Sequence, residues 1–155
     1  MSVAEADNQK ASSGTKQFST FYVCGNLYGL EVGAVQEVTK ALQMTPVPLA
    51  PEYVHGLINL RGQIATAIGM RDLFSLGKEG LPEELMSVVC KSDGLLVSLV
   101  VDQIGDVLEV DQALFEPTPD TLLPSVARYM EGVYKIPGEL LSVLDINKIA
   151  EELLS

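Results

Sequence analysis

Short runs of alternating apolar and polar residues recur along the chain, and turn-forming residues separate them. Residues 18–24 and 27–32 are rich in aromatic and β-branched side chains, and Gly25-Asn26 between them tolerates positive φ. This arrangement predicts a β-hairpin. Further strands are predicted at residues 54–60, 63–70, 86–90, 95–101, 106–110, 129–136 and 139–144, with turns at Arg61-Gly62, residues 92–94 and Pro137-Gly138. The pattern predicts an all-β protein.

Only the end of the chain has the spacing of a clear helix. Residues 146–154 place apolar side chains at i, i+3, i+4 and i+7, and Asp145 before them is a candidate N-cap. Proline interrupts residues 45–51 and 116–127, so both segments are expected to be connectors. Residues 1–17 are polar and Ser-rich without an apolar run, and we expect a disordered tail there.

The strand pattern repeats within the chain. Residues 28–38 match residues 97–107 at an offset of 69, and residues 51–73 match residues 127–149 at an offset of 76. Glycines and one tyrosine coincide in the second match, which argues against chance similarity between Val-rich strands. The seven-residue difference falls in the Pro-bearing connectors. We therefore expect two similar β-subdomains, each too small for a comfortable core alone, that share an apolar interface.

The repeat also separates folding from function. Positions that are alike in both copies are expected to serve folding, whereas Asn59 meets Lys135 and Arg61 meets Pro137. Strand alternation places Asn59 and Arg61 on one face and Ile58 and Leu60 on the other, inward face. The guanidinium of Arg61 has two interpretations at this stage: an ion pair within the chain or a contact with a partner.

Composition excludes several function classes. The 155 residues carry a net charge of −11, which disfavours nucleic acid and anionic membrane surfaces. No nucleotide-binding, hydrolase or metalloprotease motif is present, and the single histidine, His55, has no motif partner, so catalytic, cofactor and metal sites are expected to be absent. An acidic cluster of Asp102, Asp106, Glu109 and Asp111 is interpreted as a solvated face.

The two cysteines, Cys24 and Cys90, lie in apolar segments without a CxxC motif, and we expect buried, reduced thiols. Without a signal sequence or a long apolar run, a cytosolic protein is the default expectation.

Residues 56–62, Gly-Leu-Ile-Asn-Leu-Arg-Gly, resemble the CheW family of chemotaxis coupling proteins. Residues 28–38, 100–102 and 144–146 extend the resemblance in family order over about residues 18–155. It implies two small SH3-like, five-stranded β-barrels that share a core, with a C-terminal helix. We expect the halves to meet near residues 75–85, with exchange of strands or helices between them.

The same resemblance implies a non-enzymatic adaptor. Its partners would be the cytoplasmic tip of chemoreceptors, a helical hairpin, and the regulatory domain of the histidine kinase CheA, with other CheW-like subunits in rings. We expect a cytoplasmic protein recruited to receptor arrays, with no nucleic acid bound and no insertion into the membrane. The alternatives are a scaffold of another chemosensory pathway, such as surface motility, or a small β-barrel that binds a ligand.

The resemblance implies a set of partner-binding residues when the family's functional positions are carried over residue by residue. It does not say which of these residues contact the receptor and which contact the kinase. The set comprises Val35, Glu37, Val38, Gly56, Asn59 and Arg61 in the first copy and Ile104 and Val107 in the second. For Val38 and Val107 a core position is an equal alternative. The chain departs from the family at Gly69, where an Asp is usual, and at Ser98, where a Gly is common. These departures predict weaker local rigidity near Arg71 and a changed receptor fit near Ser98.

Overall fold

The computed structural model describes residues 14–154. Ten strands, three helices and two single turns of 3-10 helix follow one another in this part of the chain. The strands are β1 Thr15–Val23, β2 Asn26–Glu31, β3 Val35–Lys40, β4 Val54–Leu60, β5 Gln63–Gly69, β6 Met86–Ser92, β7 Leu95–Val101, β8 Gln103–Asp111, β9 Met130–Ile136 and β10 Glu139–Leu144; the helices are α1 Met70–Leu73, α2 Pro124–Ala127 and α3 Ile146–Leu154.

The N-terminal boundary differs from the expected one. Strand β1 begins at Thr15, so Thr15 to Gln17 pair with β8 instead of belonging to a tail that extends to residue 17. These residues alternate between exposed and half-buried positions, which is the pattern of a strand at the surface. The rest of the predicted tail, residues 1–13, lies outside the described residues.

Each half of the chain contributes a hairpin to the sheet of the other half. One five-stranded sheet has the order β8-β1-β2-β10-β9, and the other has the order β3-β6-β7-β5-β4. In the second sheet, Thr45 after β3 pairs with Leu57 of β4; in the first, Glu116 after β8 pairs with Val133 of β9. These bridges join the two edges of each sheet, so we call the first sheet barrel 1 and the second barrel 2. The predicted all-β, SH3-like fold class is confirmed.

The two barrels have the same strand register at the offsets found in the sequence. Val35 faces Cys90 across β3 and β6, and Ile104 faces Phe21 across β8 and β1. The parallel pairs correspond as well, because Thr66 lies beside Val97 and Ser142 lies beside Tyr28. Even the irregularities in the β4–β5 and β9–β10 ladders fall at equivalent residues.

Three apolar clusters hold the molecule together. A central cluster takes residues from both sheets and from the helices, including Phe21 and Tyr28 of barrel 1 and Phe74 beside barrel 2. Two smaller clusters fill the barrel interiors. Barrel 1 encloses Phe18, Leu27, Val110, Tyr134, Leu141 and Val143, and barrel 2 encloses Ile58, Leu60, Ala65, Ala67, Val89, Leu96 and Val100.

Helix α3 forms where its apolar spacing predicted it. The Asp145 carboxylate accepts a hydrogen bond from the Asn147 amide at 2.9 Å, which is the predicted N-cap role. Ile146, Ile149 and Ala150 are buried on its inner face. No helix within residues 14–154 is long and apolar enough to cross a membrane.

Candidate partner-binding surfaces

The predicted partner-binding residues fall on both barrels. Val35, Glu37 and Val38 lie on β3, Gly56 and Asn59 lie on β4, and Arg61 lies in the β4–β5 turn, all in barrel 2; Ile104 and Val107 lie on β8 in barrel 1. The structure therefore places six of the eight on one sheet. Strands β3 and β8 are equivalent edge strands, so the remaining two repeat the position of Val35 and Val38 in the other barrel.

Four of these residues flank the central cluster from the two barrels. Val35 and Ile104 are partly buried and pack against that cluster. Val38 and Val107 lie further along the same strands, past a β-bulge in each ladder, and remain 41% and 59% exposed. They are surface residues rather than core residues. We call Val35, Val38, Ile104 and Val107 the junction surface.

Arg61 and Glu37 form an ion pair that joins the β4–β5 turn to strand β3. The Glu37 side chain is 24% exposed and that of Arg61 is 75% exposed, so most of the arginine side chain is accessible to solvent. The predicted ion pair within the chain is therefore present. A partner contact stays a prediction, and the exposure of Arg61 leaves room for one.

The turn that carries Arg61 is tightly constrained. Arg61 and Gly62 have φ values of 51° and 89°, which is the pattern of a two-residue hairpin turn with both central residues left-handed. The Asn59 side-chain oxygen accepts a hydrogen bond from the Gly62 amide at 2.9 Å. Asn59 thus orients the turn, and the turn projects Arg61 toward Glu37.

Gly56 is buried and has a structural reason to be glycine. Its φ is +151°, and a β-carbon added there would lie 2.7 Å from the Thr45 carbonyl oxygen. The close approach permits the Thr45–Leu57 bridge that joins the edges of barrel 2. Gly132 is equally crowded at the equivalent place in barrel 1. The contact between a partner and Gly56 stays a prediction. Because Gly56 is buried, its role in the structure is to let the neighbouring strands pack beneath the surface.

Sequence reasoning missed two exposed apolar residues beside Arg61. Leu57 is 36% exposed and Ile64 is 58% exposed, and Ile64 faces Asn59 across the β4–β5 ladder. Their equivalents in barrel 1 are Val133, which is 1% exposed, and Leu140, which packs against the central cluster. The repeat offset of 76 matches these residues with their equivalents in barrel 1. It shows that the residue types are similar, but it does not show that one pair is buried and the other is exposed. We call Leu57, Asn59 and Ile64 the outer face.

Ser98 is not at the surface, and the predicted change of receptor fit stays a prediction. Ser98 is 1% exposed and its hydroxyl hydrogen-bonds that of the equally buried Ser87. Both serines lie on adjacent strands of barrel 2 and point to its interior, because they alternate with residues of the central cluster. Ser98 therefore cannot alter a receptor contact directly.

Arg71 is held by several hydrogen bonds although residue 69 is a glycine. Arg71 is 7% exposed and donates from Nε to Oδ1 of Asp102 at 3.0 Å and from Nη2 to Oδ2 at 2.6 Å. Its Nη1 donates to the carbonyls of Gly77 and Glu79 at 3.0 Å and 2.7 Å. These hydrogen bonds to the Asp102 carboxylate raise the pKa of Arg71 above its ordinary value.

The His55 ring occupies the space beside Gly69. A β-carbon on Gly69 would collide with the imidazole, whose Nε2 lies 2.6 Å from Oδ2 of Asp72. A side chain at residue 69 therefore has no room, because the histidine from β4 fills that space. His55 has a packing role at the start of that strand, as expected for a histidine without a catalytic motif.

The remaining chemical groups serve the fold. Asp102 of the acidic cluster is bound by Arg71 and is not a solvated carboxylate, and Asp111 caps the following turn through the Ala113 amide at 2.9 Å. No cluster of His, Cys, Asp and Glu suited to a metal occurs within residues 14–154. Burial raises the pKa of the Cys90 thiol to about 12, whereas Cys24 is half-exposed, contrary to the expectation that both are buried.

Comparison with known proteins places the whole described domain in one family. The model of the CheW-like domain matches residues 17–154. The chemotaxis protein CheW of Treponema pallidum is 31% identical over 137 residues, which cover 86% of this chain and 81% of that protein. The chemotaxis protein CheW of Bacillus subtilis is 26% identical over 132 residues and covers 85% of each.

A solved structure agrees with these sequence matches. The crystal structure of the scaffolding protein TtCheW from Thermoanaerobacter tengcongensis superposes with a TM-score of 0.77 at 29% identity. The match covers 84% of this chain and 88% of that one.

Proposed function

The chain belongs to the CheW family of non-enzymatic chemotaxis scaffold proteins, and from this premise we propose that it couples chemoreceptor cytoplasmic tips to the histidine kinase CheA. A coupling protein needs two surfaces that are occupied at once. The observation that supports the proposal is the presence of exposed apolar residues on two different pairs of strands, Val38 and Val107 on β3 and β8, and Leu57 and Ile64 on β4 and β5.

The junction surface suits the receptor tip. Its residues come from equivalent edge strands of the two barrels, and Val35 and Ile104 pack against the shared central cluster. A helical hairpin presents two neighbouring helices, and apolar valines from two equivalent strands can receive apolar side chains from both. Val38 and Val107 are the most exposed members and are therefore the expected centre of the contact.

The outer face suits the regulatory domain of the kinase. Leu57 and Ile64 provide apolar area on one sheet, and Asn59 lies between them with the turn that carries Arg61. Charged groups at the border of an apolar contact contribute orientation and association rate more than affinity. The Glu37–Arg61 pair fits that role at the edge of barrel 2. Binding to the receptor in this way would recruit a cytoplasmic protein to receptor arrays.

The test is reconstitution with a receptor cytoplasmic fragment and CheA, followed by co-sedimentation and kinase phosphorylation. The proposal expects a ternary complex in which kinase activity depends on this protein. Val107→Ser should weaken receptor binding with little effect on the kinase, and Leu57→Ser should do the reverse. Leu154→Ser is a matched control, because Leu154 is 79% exposed on α3, remote in sequence from both surfaces. Failure to form any ternary complex with the cognate partners would refute the proposal.

A further inference from the structure

A leucine occupies the tip of a turn where neither burial nor backbone conformation favours it. The Ala50 amide donates to the Val47 carbonyl at 3.4 Å, so residues 47–50 form a turn with Pro48 and Leu49 at its centre. Leu49 has φ +63°. Proline followed by a left-handed residue is the pattern of a type II turn, whose third position favours glycine or asparagine. A leucine there adopts the left-handed conformation at an energetic cost.

Folding does not repay that cost by burying the side chain. Leu49 is fully exposed, with a relative accessibility of 104%. The corresponding connector of barrel 1 begins with the same proline spacing, since Glu116-Pro-Thr-Pro-Asp120 stands where barrel 2 has Thr45-Pro-Val-Pro-Leu49. The residue that matches Leu49 is therefore an aspartate, a common turn residue. The two connectors therefore differ at this position, and folding does not explain why barrel 2 has a leucine there.

We propose that the turn at residues 47–50 is a docking element, in which Leu49 inserts as an anchor into an apolar pocket of the kinase regulatory domain. This inference rests on the proposed function and adds a residue that determines the kinase contact. Strained exposed residues occur preferentially at functional sites, and an apolar anchor in a partner pocket is the usual centre of a protein interface.

The position of the turn favours the kinase over the receptor. Thr45 at its base exchanges two hydrogen bonds of 2.8 Å with Leu57, which belongs to the outer face. The base of the turn is therefore hydrogen-bonded directly to a strand of the surface assigned to the kinase. A folded globular domain also offers enclosed pockets, whereas a helical hairpin offers mainly ridges and shallow grooves.

The connector that carries Leu49 suits an apolar pocket and not a charged surface. Residues 41–51 carry no charged side chain, although the protein as a whole carries −11. Pro46, Pro48 and Pro51 restrict the backbone around the tip. A restricted loop loses less conformational entropy on binding, so a single leucine there contributes more of its contact energy.

The decisive variant is Leu49→Asn, because it separates stability from binding. Asparagine tolerates the left-handed conformation, so the thermal midpoint should rise by roughly 2–4 °C. Loss of a buried leucine anchor should weaken binding to the isolated kinase regulatory domain by roughly 10–100-fold in titration calorimetry. Binding to the receptor fragment should not change. Leu49→Met should keep the affinity within roughly threefold, because methionine can fill the same pocket.

Leu154→Asn serves as the control, since it removes another exposed leucine and should leave both affinities unchanged. If Leu49→Asn bound the kinase domain as tightly as the wild type, the inference would be overturned. The proposed function would still stand in that case, because the wild-type protein binds the kinase domain. Loss of receptor binding instead would overturn the choice of partner. A fall in the thermal midpoint would show that Leu49 stabilises the fold and would overturn the strain argument. If the wild-type protein bound neither partner, the proposed function and the inference would fail together.

Discussion

The two barrels have the same strand order and register but bury different faces. In barrel 1, Val133 and Leu140 of β9–β10 are covered, and Val126 of α2 joins the same central cluster. In barrel 2, Leu57 and Ile64 are the equivalent residues and are exposed. Helix α2 lies in the second connector, which is the longer one, and the first connector contains no equivalent helix. Residues of the longer connector thus lie beside the apolar face of barrel 1, while the equivalent residues of barrel 2 stay exposed.

The barrel interiors differ in a compensating way. Phe18 and Gly29 stand side by side in barrel 1, where barrel 2 has Ser87 and Ser98. Barrel 1 combines a phenylalanine ring with a glycine, and barrel 2 combines two serines whose hydroxyls hydrogen-bond each other. Close-packed interiors require such volume balance. The comparison shows that equal topology permits different fillings when the total volume at a pair of positions is kept.

The largest difference that can be tested is the Arg71 clamp, which only barrel 2 has. Its counterparts in the repeat are Asn147 for Arg71 and Gly33 for Asp102. Arg71→Met should lower the free energy of unfolding by about 3–5 kcal/mol, because it leaves a buried carboxylate without its partner. Asp102 also accepts a hydrogen bond from the Cys24 amide at 2.9 Å, so the β1–β2 turn should loosen too. Urea denaturation measures the loss.

Two variants control this experiment. Arg71→Met combined with Asp102→Leu removes both charges and should recover most of the stability. Asn147→Ala, at the counterpart position, should lose only about 1 kcal/mol, since it removes a hydrogen bond from the Ser92 hydroxyl. A loss below about 1 kcal/mol in Arg71→Met would contradict the structural role of the clamp.

Gly29→Ala tests the difference in barrel interiors. A β-carbon at residue 29 would lie 3.0 Å from Cδ1 of Leu141 and 3.4 Å from Cβ of Phe18. The overpacking should cost about 1–3 kcal/mol in unfolding free energy. Ser98→Ala at the matched position keeps the β-carbon and removes one hydroxyl, so it should cost about 1 kcal/mol through the unpaired Ser87. Equal stability of Gly29→Ala and the wild type would show that barrel 1 is not tightly filled.

Val133→Ala and Leu57→Ala sharpen the comparison of the outer faces. Val133 is 1% exposed, so removing two methyl groups should cost about 2 kcal/mol with the cavity included. Leu57 is partly exposed, and its truncation should cost less than about 1 kcal/mol. Kinase binding should respond in the opposite order, with a loss for Leu57→Ala alone. Equal stability losses would mean that the two faces are covered alike.

The sequence was sufficient for the elements that depend on local pattern. The hairpins, the repeat offsets and the Asp145 cap follow from alternation, turn residues and helix spacing, and the structure contains them. The turn of the first hairpin lies one residue earlier than predicted, because Cys24 and Gly25 take the left-handed positions and Asn26 already pairs with Val23. The inward direction of Ile58 and Leu60 was predicted correctly, because one face of a strand must be buried.

Contacts between distant segments could not be predicted in this way. Arg71 and Asp102 are 31 residues apart, and no spacing rule identifies them as partners. The burial of Ser98 and the exposure of Leu57 depend on which segment crosses each face, and sequence alternation does not contain that information. Leu49 had a signal in the Val-Pro-Leu-Ala turn, but only the combination of its φ and its exposure makes the leucine unusual.

The smallest expected effect on stability concerns Arg61 and its exposed ion pair with Glu37. Barrel 1 also has an exposed ion pair, between Lys135 and Glu116 at 3.5 Å, although the repeat matches Arg61 with Pro137. Both pairs are exposed on their basic side, so Arg61→Ala and Lys135→Ala should each change the unfolding free energy by less than about 1 kcal/mol. Only Arg61→Ala should slow association with the kinase, because only barrel 2 presents an uncovered apolar face beside the charge.

Exchange of the charges separates the two roles of Arg61. Glu37→Arg with Arg61→Glu restores an ion pair at the same place and should restore stability. It should not restore the association rate, because the exposed charge then has the opposite sign. Full recovery of binding would mean that Arg61 acts only by orienting its turn. A stability loss above about 2 kcal/mol in Arg61→Ala would instead make the pair a structural element, since an exposed pair contributes far less.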